Sequence, residues 1–169
     1  MALLPILEFP DPKLRTKATP VTEVNERIRQ QAKDMLETMY HAQGIGLAGT
    51  QVDFHQRMLV MDVSEEQDQP MVLINPEYVP TGEKIMWQEG CLSVPTFYEE
   101  VERFASIQVT ALNEQGERIE FEAKDLAAIC IQHEIDHLDG KLFVDYISNL
   151  KRNRIRQKLE KLHKLQGKA

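Results

Sequence analysis

Residues 126–138 of this chain (LAAICIQHEIDHL) are apolar on nearly every side, yet two histidines and two carboxylates interrupt them. A helix apolar all round belongs at the centre of a domain, so the rest of the chain has to be built around this segment. Asp125 is placed to cap its start and Gly140 its end. On an α-helix, positions i and i+4 share a face and lie about 6 Å apart along the axis, so His133 and His137 can ligate one metal ion. Glu134 beside them is placed to move protons, which is the pattern of a metal-dependent hydrolase.

The elements that would surround such a helix follow from periodicity. Ile28, Ala32, Met35, Leu36 and Met39 recur at helical spacing, with Thr22 or Asn25 as N-cap and Gly44 ending the pattern. Before them, the prolines at 10, 12 and 20 predict an extended, turn-rich lead-in. Runs rich in β-formers at 58–63, 71–74, 84–87, 101–104, 107–112 and 118–123 predict strands, and the last two read as a hairpin turning at 113–116. A further helix is expected over 149–165 with Leu150, Ile155, Leu159 and Leu162 as its apolar stripe. The fold class is therefore α+β: antiparallel or mixed β-sheets packed around a central metal-binding helix, with an N-terminal and a C-terminal helix. We expect one domain over residues 1–169, since 169 residues bury a core without disulfides.

Charge divides the chain unevenly. Residues 150–169 carry eight Lys/Arg against the single acid Glu160, a net +7, whereas residues 1–149 carry 12 basic and 26 acidic residues, a net −14. A basic C-terminal helix thus hangs on an acidic body. No segment approaches the ~20 apolar residues of a membrane span. The start has no basic leader, and the chain has two cysteines, which together predict a cytoplasmic protein with neither membrane nor DNA partner. We expect a monomer.

Two histidines need a third ligand. Downstream of the helix the candidates are poor: Asp139, Asp145, Glu160 and His163. Cys130 shares the helix, but an ion between the histidines lies near the level of residue 135, roughly 7 Å further along the axis, beyond the reach of its sulfur. Cys91 lies in a separate element, flanked by Gly90 and followed by Pro95, and is free to cap the helix face. Two imidazoles and one thiolate leave a fourth position open, the arrangement of a catalytic site. Such a site suits Zn²⁺, Fe²⁺, Co²⁺ or Ni²⁺. An ion there lowers the pKa of its water towards neutrality, with Glu134 as general base and then acid.

Three separated stretches together resemble the bacterial peptide deformylases. The family pattern G-x-G-L-A-A-x-Q is met by residues 44–51, E-G-C-L-S by 89–93, and Q-H-E-x-D-H-L by 132–138, in the family's order and over essentially the whole chain. The resemblance implies removal of formyl from N-formylmethionyl nascent peptides, with release of formate. It implies Cys91, His133 and His137 as ligands of Fe²⁺ in the cell, replaceable by Ni²⁺, Co²⁺ or Zn²⁺. It also implies the Gln51 side-chain amide and the Leu92 backbone N–H as donors to the developing oxyanion.

Gly44 and Gly46 are helix-end glycines on the bland reading; on the functional one they leave a strand edge free for an extended peptide, with Ile45 between them. Ile45, Trp87, Leu126, Ile129 and Cys130 fall at family positions that wall the methionine pocket, against the alternative that each is plain core. A tight site would admit formyl and exclude acetyl. Asp136 faces away from the ion and is expected to make a structural bond. The basic C-terminal helix is a ribosome-docking surface by resemblance, or else a solvated face. Gly49 departs from the family's usual alanine, and residues 96–100 depart where relatives carry glycine or arginine, so the peptide rim is expected to differ. A zinc endopeptidase and a non-catalytic ribosome-associated module with a structural metal are the other readings.

Overall fold

Among the described residues the elements follow in the order α1 (Glu26–His41), β1 (Gly46–Ala48), β2 (Met58–Met61), β3 (Met71–Pro80), β4 (Lys84–Cys91), β5 (Val94–Phe104), β6 (Ser106–Leu112), β7 (Arg118–Lys124), α2 (Asp125–Leu138) and α3 (Asn149–Leu165). The computed structural model describes residues 2–167; Met1 of the lead-in and Lys168 and Ala169 of the basic tail lie outside the described residues.

Strand β2 sets the layers. All four of its residues are buried, and successive side chains of a strand point to opposite faces. Met58 and Val60 pack with Ile28, Ala32, Met35 and Met39 of α1, whereas Leu59 and Met61 pack with Ala128, Ile131 and Ile135 of α2. The five-stranded sheet, in the order β1-β2-β3-β6-β7 and antiparallel throughout, is thus covered by α1 on one face and α2 on the other. The fold is α+β around a central helix.

β4 and β5 form a separate antiparallel ribbon. Val94 and Val101 on its inner face join a third core cluster with Phe9, Leu14, Phe143, Ile155 and Leu159, which seats α3 and the lead-in against the ribbon. The lead-in is tied down by main-chain bonds: Leu7 N–H donates to Gln51 O at 2.7 Å, and Phe9 N–H to Ser93 O at 2.7 Å.

Several sequence expectations need correction. Asp125 does not cap α2: the N-cap is Lys124, without a side-chain bond, and Asp125 is the first helical residue, at φ 54°. Its N–H donates to Ala105 O at 2.9 Å, so the main chain before β6 fixes the helix start. At α1, Asn25 rather than Thr22 is the cap, accepting from Ile28 N–H at 3.2 Å. Gly140 does end α2, at φ 79°, with its N–H on His137 O at 3.0 Å. The ribbon strands run far beyond 84–87 and 101–104, because residues 88–91 and 94–100 pair through their backbones without an apolar alternation to announce it. In α3 only Ile155 and Leu159 of the expected stripe are buried, while Leu150 is 68% exposed and Leu162 37% exposed. No helix among the described residues is long and apolar enough to cross a membrane.

Candidate metal centre

The ribbon delivers one residue to the central helix. β4 ends at Cys91, and the chain reverses through Leu92 and Ser93 into β5, carrying the Cys91 sulfur over the α2 face that bears both histidines. Cys91 Sγ lies 3.3 Å from His137 Nε2, which lies 3.2 Å from His133 Nε2, and the three atoms all fall within 4.8 Å of one another. A tetrahedral ion with bonds of ~2.05 Å to nitrogen and ~2.3 Å to sulfur has N···N edges of about 3.3 Å and N···S edges of about 3.5 Å, so the donor set fits one such ion.

Behind this trio runs a chain of buried charges. His133 Nδ1 meets Glu89 Oε1 at 2.8 Å, which leaves Nε2 turned to the centre. Arg103 holds Glu89 with two bonds, Nε to Oε2 at 2.6 Å and Nη2 to Oε1 at 2.9 Å, and reaches Asp136 Oδ2 through Nη1 at 2.6 Å. Tyr146 closes the row, its hydroxyl donating to Asp136 Oδ2 at 2.8 Å and its ring 4.8 Å from the guanidinium carbon. Asp136 thus makes the structural ion pair its helical position predicts. Burial opposes charge on Glu89, but the bonds from Arg103 and His133 outweigh it and hold the carboxyl below its usual range.

The two imidazoles are driven apart. Burial disfavours a proton on both; on His133 the neighbouring Cys91 and Glu134 outweigh it and raise the pKa well above the usual value, whereas on His137 the His133 charge adds to burial and lowers it well below. Glu134, 4% exposed, is pushed up to about 7 by burial, and among the described residues its Oε1 has no hydrogen-bond partner. Gly46 gives it room: a Cβ there would lie 2.6 Å from Glu134 Oε2 and 2.7 Å from Cys130 Sγ.

Gln51 enters from the short 3-10 turn Gly49–Val52 and is equally buried. Its Oε1 accepts the Ala48 N–H at 2.9 Å, so Nε2 faces the centre, 3.0 Å from Ser93 Oγ and 3.5 Å from Cys91 Sγ. These groups open onto a cleft of about 400 Å³ bordered by Gln43, Gly44, Ile45 and Gly46 on one side, by Gly90, Leu92, Pro95, Thr96 and Tyr98 on the other, and by Gln51, Cys91, His133 and Glu134. Among the described residues β1 is the edge strand of its sheet, paired with β2 alone. Trp87, Leu126, Ile129 and Cys130 do not border the open cleft; Cys130 is buried, its sulfur 3.7 Å from Ile45 O. A larger groove of about 1040 Å³, lined by residues of the lead-in and of α3, lies apart from these groups.

The sequence reading assigned no role to Glu89, Ser93, Arg103 or Tyr146, although the first two fall within the cysteine motif; Tyr98 borders the cleft from within the 96–100 stretch expected at the peptide rim. Only Glu89 carries a usable signal: two residues before Cys91 on a strand, it shares that residue's face and can reach a ligand histidine.

A family model of polypeptide deformylases matches residues 3–153. A peptide deformylase of Teredinibacter turnerae is 61% identical over 165 residues, 97% of this chain and 98% of the relative. One from Pseudomonas aeruginosa is 58% identical over 168 residues, 99% of this chain and 100% of the relative. The crystal structure of a Legionella pneumophila peptide deformylase superimposes with a TM-score of 0.92 at 41% identity, covering 99% of each chain. That of the Ehrlichia chaffeensis peptide deformylase in complex with actinonin gives 0.92 at 40% identity, over 95% of this chain and 98% of the other.

Proposed function

The chain belongs to the polypeptide deformylase family, whose enzymes remove the N-formyl group from nascent peptides, and on that premise we propose that the Cys91–His133–His137 centre performs this hydrolysis on N-formylmethionyl peptides, releasing formate. The observation that carries the reading is the convergence of the three ligand atoms within 4.8 Å of one another on a cleft that also holds Glu134 and Gln51. The family uses a divalent metal; Cys91, His133 and His137 would hold it, as Fe²⁺ in the cell and as Zn²⁺, Ni²⁺ or Co²⁺ in purified protein. Bound there, the ion supplies Lewis acidity towards water and the carbonyl oxygen.

Glu134 takes the proton of the attacking water and returns it to the departing amine nitrogen, a cycle suited to a carboxyl that burial pushes up to about 7. Gln51 Nε2 and the Leu92 N–H donate to the oxygen that gains charge as the formyl carbon becomes tetrahedral. Gly44, Ile45 and Gly46 offer the peptide a strand edge, supported by the position of β1 at the border of its sheet. A methionine pocket walled by Ile45, Trp87, Leu126, Ile129 and Cys130 has its support in Ile45 and Cys130, which meet beside Gly46. Glu89 orients His133, and Asp136 serves through Arg103 rather than as a ligand.

We propose further that residues 1–169 act as one deformylase domain, as a monomer, in the cytoplasm where nascent chains are made. Actinonin, bound by the Ehrlichia chaffeensis relative, is expected to bind this cleft. The basic surface of α3 is proposed to dock on the ribosome: Arg154, Arg156, Lys158, Lys161 and Lys164 all lie exposed on it.

Formate release from formyl-Met-Ala-Ser by protein loaded separately with Fe²⁺, Ni²⁺, Co²⁺ or Zn²⁺ tests the function. Formate is expected from the formyl peptide and no turnover of acetyl-Met-Ala-Ser; no formate with any metal sinks the proposal, and internal peptide cleavage would favour an endopeptidase. Elemental analysis of protein purified without oxygen identifies the ion.

A further inference from the structure

We propose that Ser93 is the residue that positions the Gln51 amide for oxyanion stabilisation, an inference that rests on the reading of Gln51 as a donor. Ser93 is fully buried yet polar, and each of its polar atoms is engaged, two of them at the centre. Its Oγ accepts from Gln51 Nε2 at 3.0 Å, its N–H donates to Cys91 Sγ at 3.4 Å, and its carbonyl accepts from Phe9 N–H at 2.7 Å. The serine is therefore fixed at both ends of its backbone, and its hydroxyl is a fixed acceptor.

A carboxamide has one oxygen and two N–H bonds in a plane. In Gln51 the oxygen is bonded to the Ala48 N–H, and one N–H is directed to Ser93 Oγ. The second N–H leaves Nε2 on the side of Cys91 Sγ, 3.5 Å away, which is the side on which a substrate oxygen would gain charge. The terminal torsion of glutamine is soft, so the backbone alone does not hold that plane. Ala48 and Ser93, bonded to opposite ends of the amide, do. Ser93 touches no substrate on this account; it acts through Gln51.

The test is a double-mutant cycle on the metal-loaded protein with formyl-Met-Ala-Ser. Gln51→Ala is expected to lower kcat by roughly 100-fold, as loss of an oxyanion donor does, and Ser93→Ala by roughly 10-fold with KM unchanged. In the Gln51→Ala background, Ser93→Ala should cost nothing more. A Ser93→Ala loss that multiplies with the Gln51→Ala loss overturns the proposal, as does an unchanged kcat for Ser93→Ala alone. An unchanged kcat for Gln51→Ala overturns the donor reading and this inference with it. A second readout does not depend on turnover: in Zn²⁺-loaded protein the two Gln51 side-chain N–H resonances, assigned by their absence from Gln51→Ala, should show water exchange of one proton accelerated at least tenfold by Ser93→Ala. Unchanged exchange overturns the proposal. Should Ser93→Ala not fold, Ser93→Gly, which keeps both main-chain bonds, carries the same expectations.

Discussion

α2 and α3 are both helices rich in charge, and they use it in opposite ways. In α2 every residue from Ala128 to Leu138 is buried, and the polar groups turned away from the centre have named partners: His133 Nδ1 with Glu89, Asp136 with Arg103 and Tyr146, Gln132 with the backbone of Phe104. In α3 only Ile155 and Leu159 are buried, and the charged side chains pair across solvent if at all, as Lys151 with Glu99 at 3.2 Å and Arg156 with Glu160 at 3.2 Å. Charge in the first helix is geometry, since an unpaired ion there costs several kcal/mol. In the second it is field strength, shared among cations that substitute for one another. A change in α2 should therefore act through one atom, and a change in α3 through the net sum.

Glu134→Gln is the strongest attempt to break the comparison. It preserves shape and removes the base, and we expect kcat to fall by about 10³-fold or more while metal content stays at one per chain by elemental analysis. A variant retaining near-native turnover would end the assignment of Glu134. Next comes Gly46→Ala, whose Cβ would meet Glu134 Oε2 at 2.6 Å. Displacing the base by a fraction of an ångström should cost on the order of 10²-fold in kcat/KM, measured on the same peptide. Glu89→Gln leaves every ligand in place but weakens the grip on His133 Nδ1; metal should be lost to a chelator 10- to 100-fold more readily, on the order expected for groups behind a ligand. At the small end, Arg154→Glu with Lys161→Glu should leave short-peptide turnover within about twofold and unfolding free energy within roughly 0.5 kcal/mol per site. The same pair should abolish salt-sensitive co-sedimentation with ribosomes; retention would make α3 a solvated face and nothing more.

What the sequence discloses follows the same division. α2 announces itself because its ligands sit i and i+4 within an apolar run, and helical rise alone disqualifies Cys130 and leaves Cys91 as the partner, which the structure brings to 3.3 Å from His137. Arg103 is invisible by comparison. It reaches Glu89 only because the ribbon pairs Ile85 with Arg103 and Glu89 with Glu99, and the mixed stretch 88–100 gives no periodicity from which to read that register. Ser93 is hidden for a related reason: its hydroxyl matters through Gln51, forty-two residues earlier. The start of α2 misleads because Asp125 looks like a cap, whereas the preceding main chain does that work. Leu150 misleads because four leucine and isoleucine positions make a stripe on paper while the ribbon beneath covers only the middle of the helix.

The lead-in gives the centre an unusual dependence on time. Leu7 and Phe9 hold the backbones of Gln51 and Ser93, and between them Glu8 meets His163 of α3 at 2.7 Å, across 155 positions of chain. Residues 7–9 are thus secured by α3, and contacts of such sequence separation carry the loop-closure cost that slows folding. An enzyme whose substrates are nascent peptides is completed only when its own residues 7–9 have folded back onto α3.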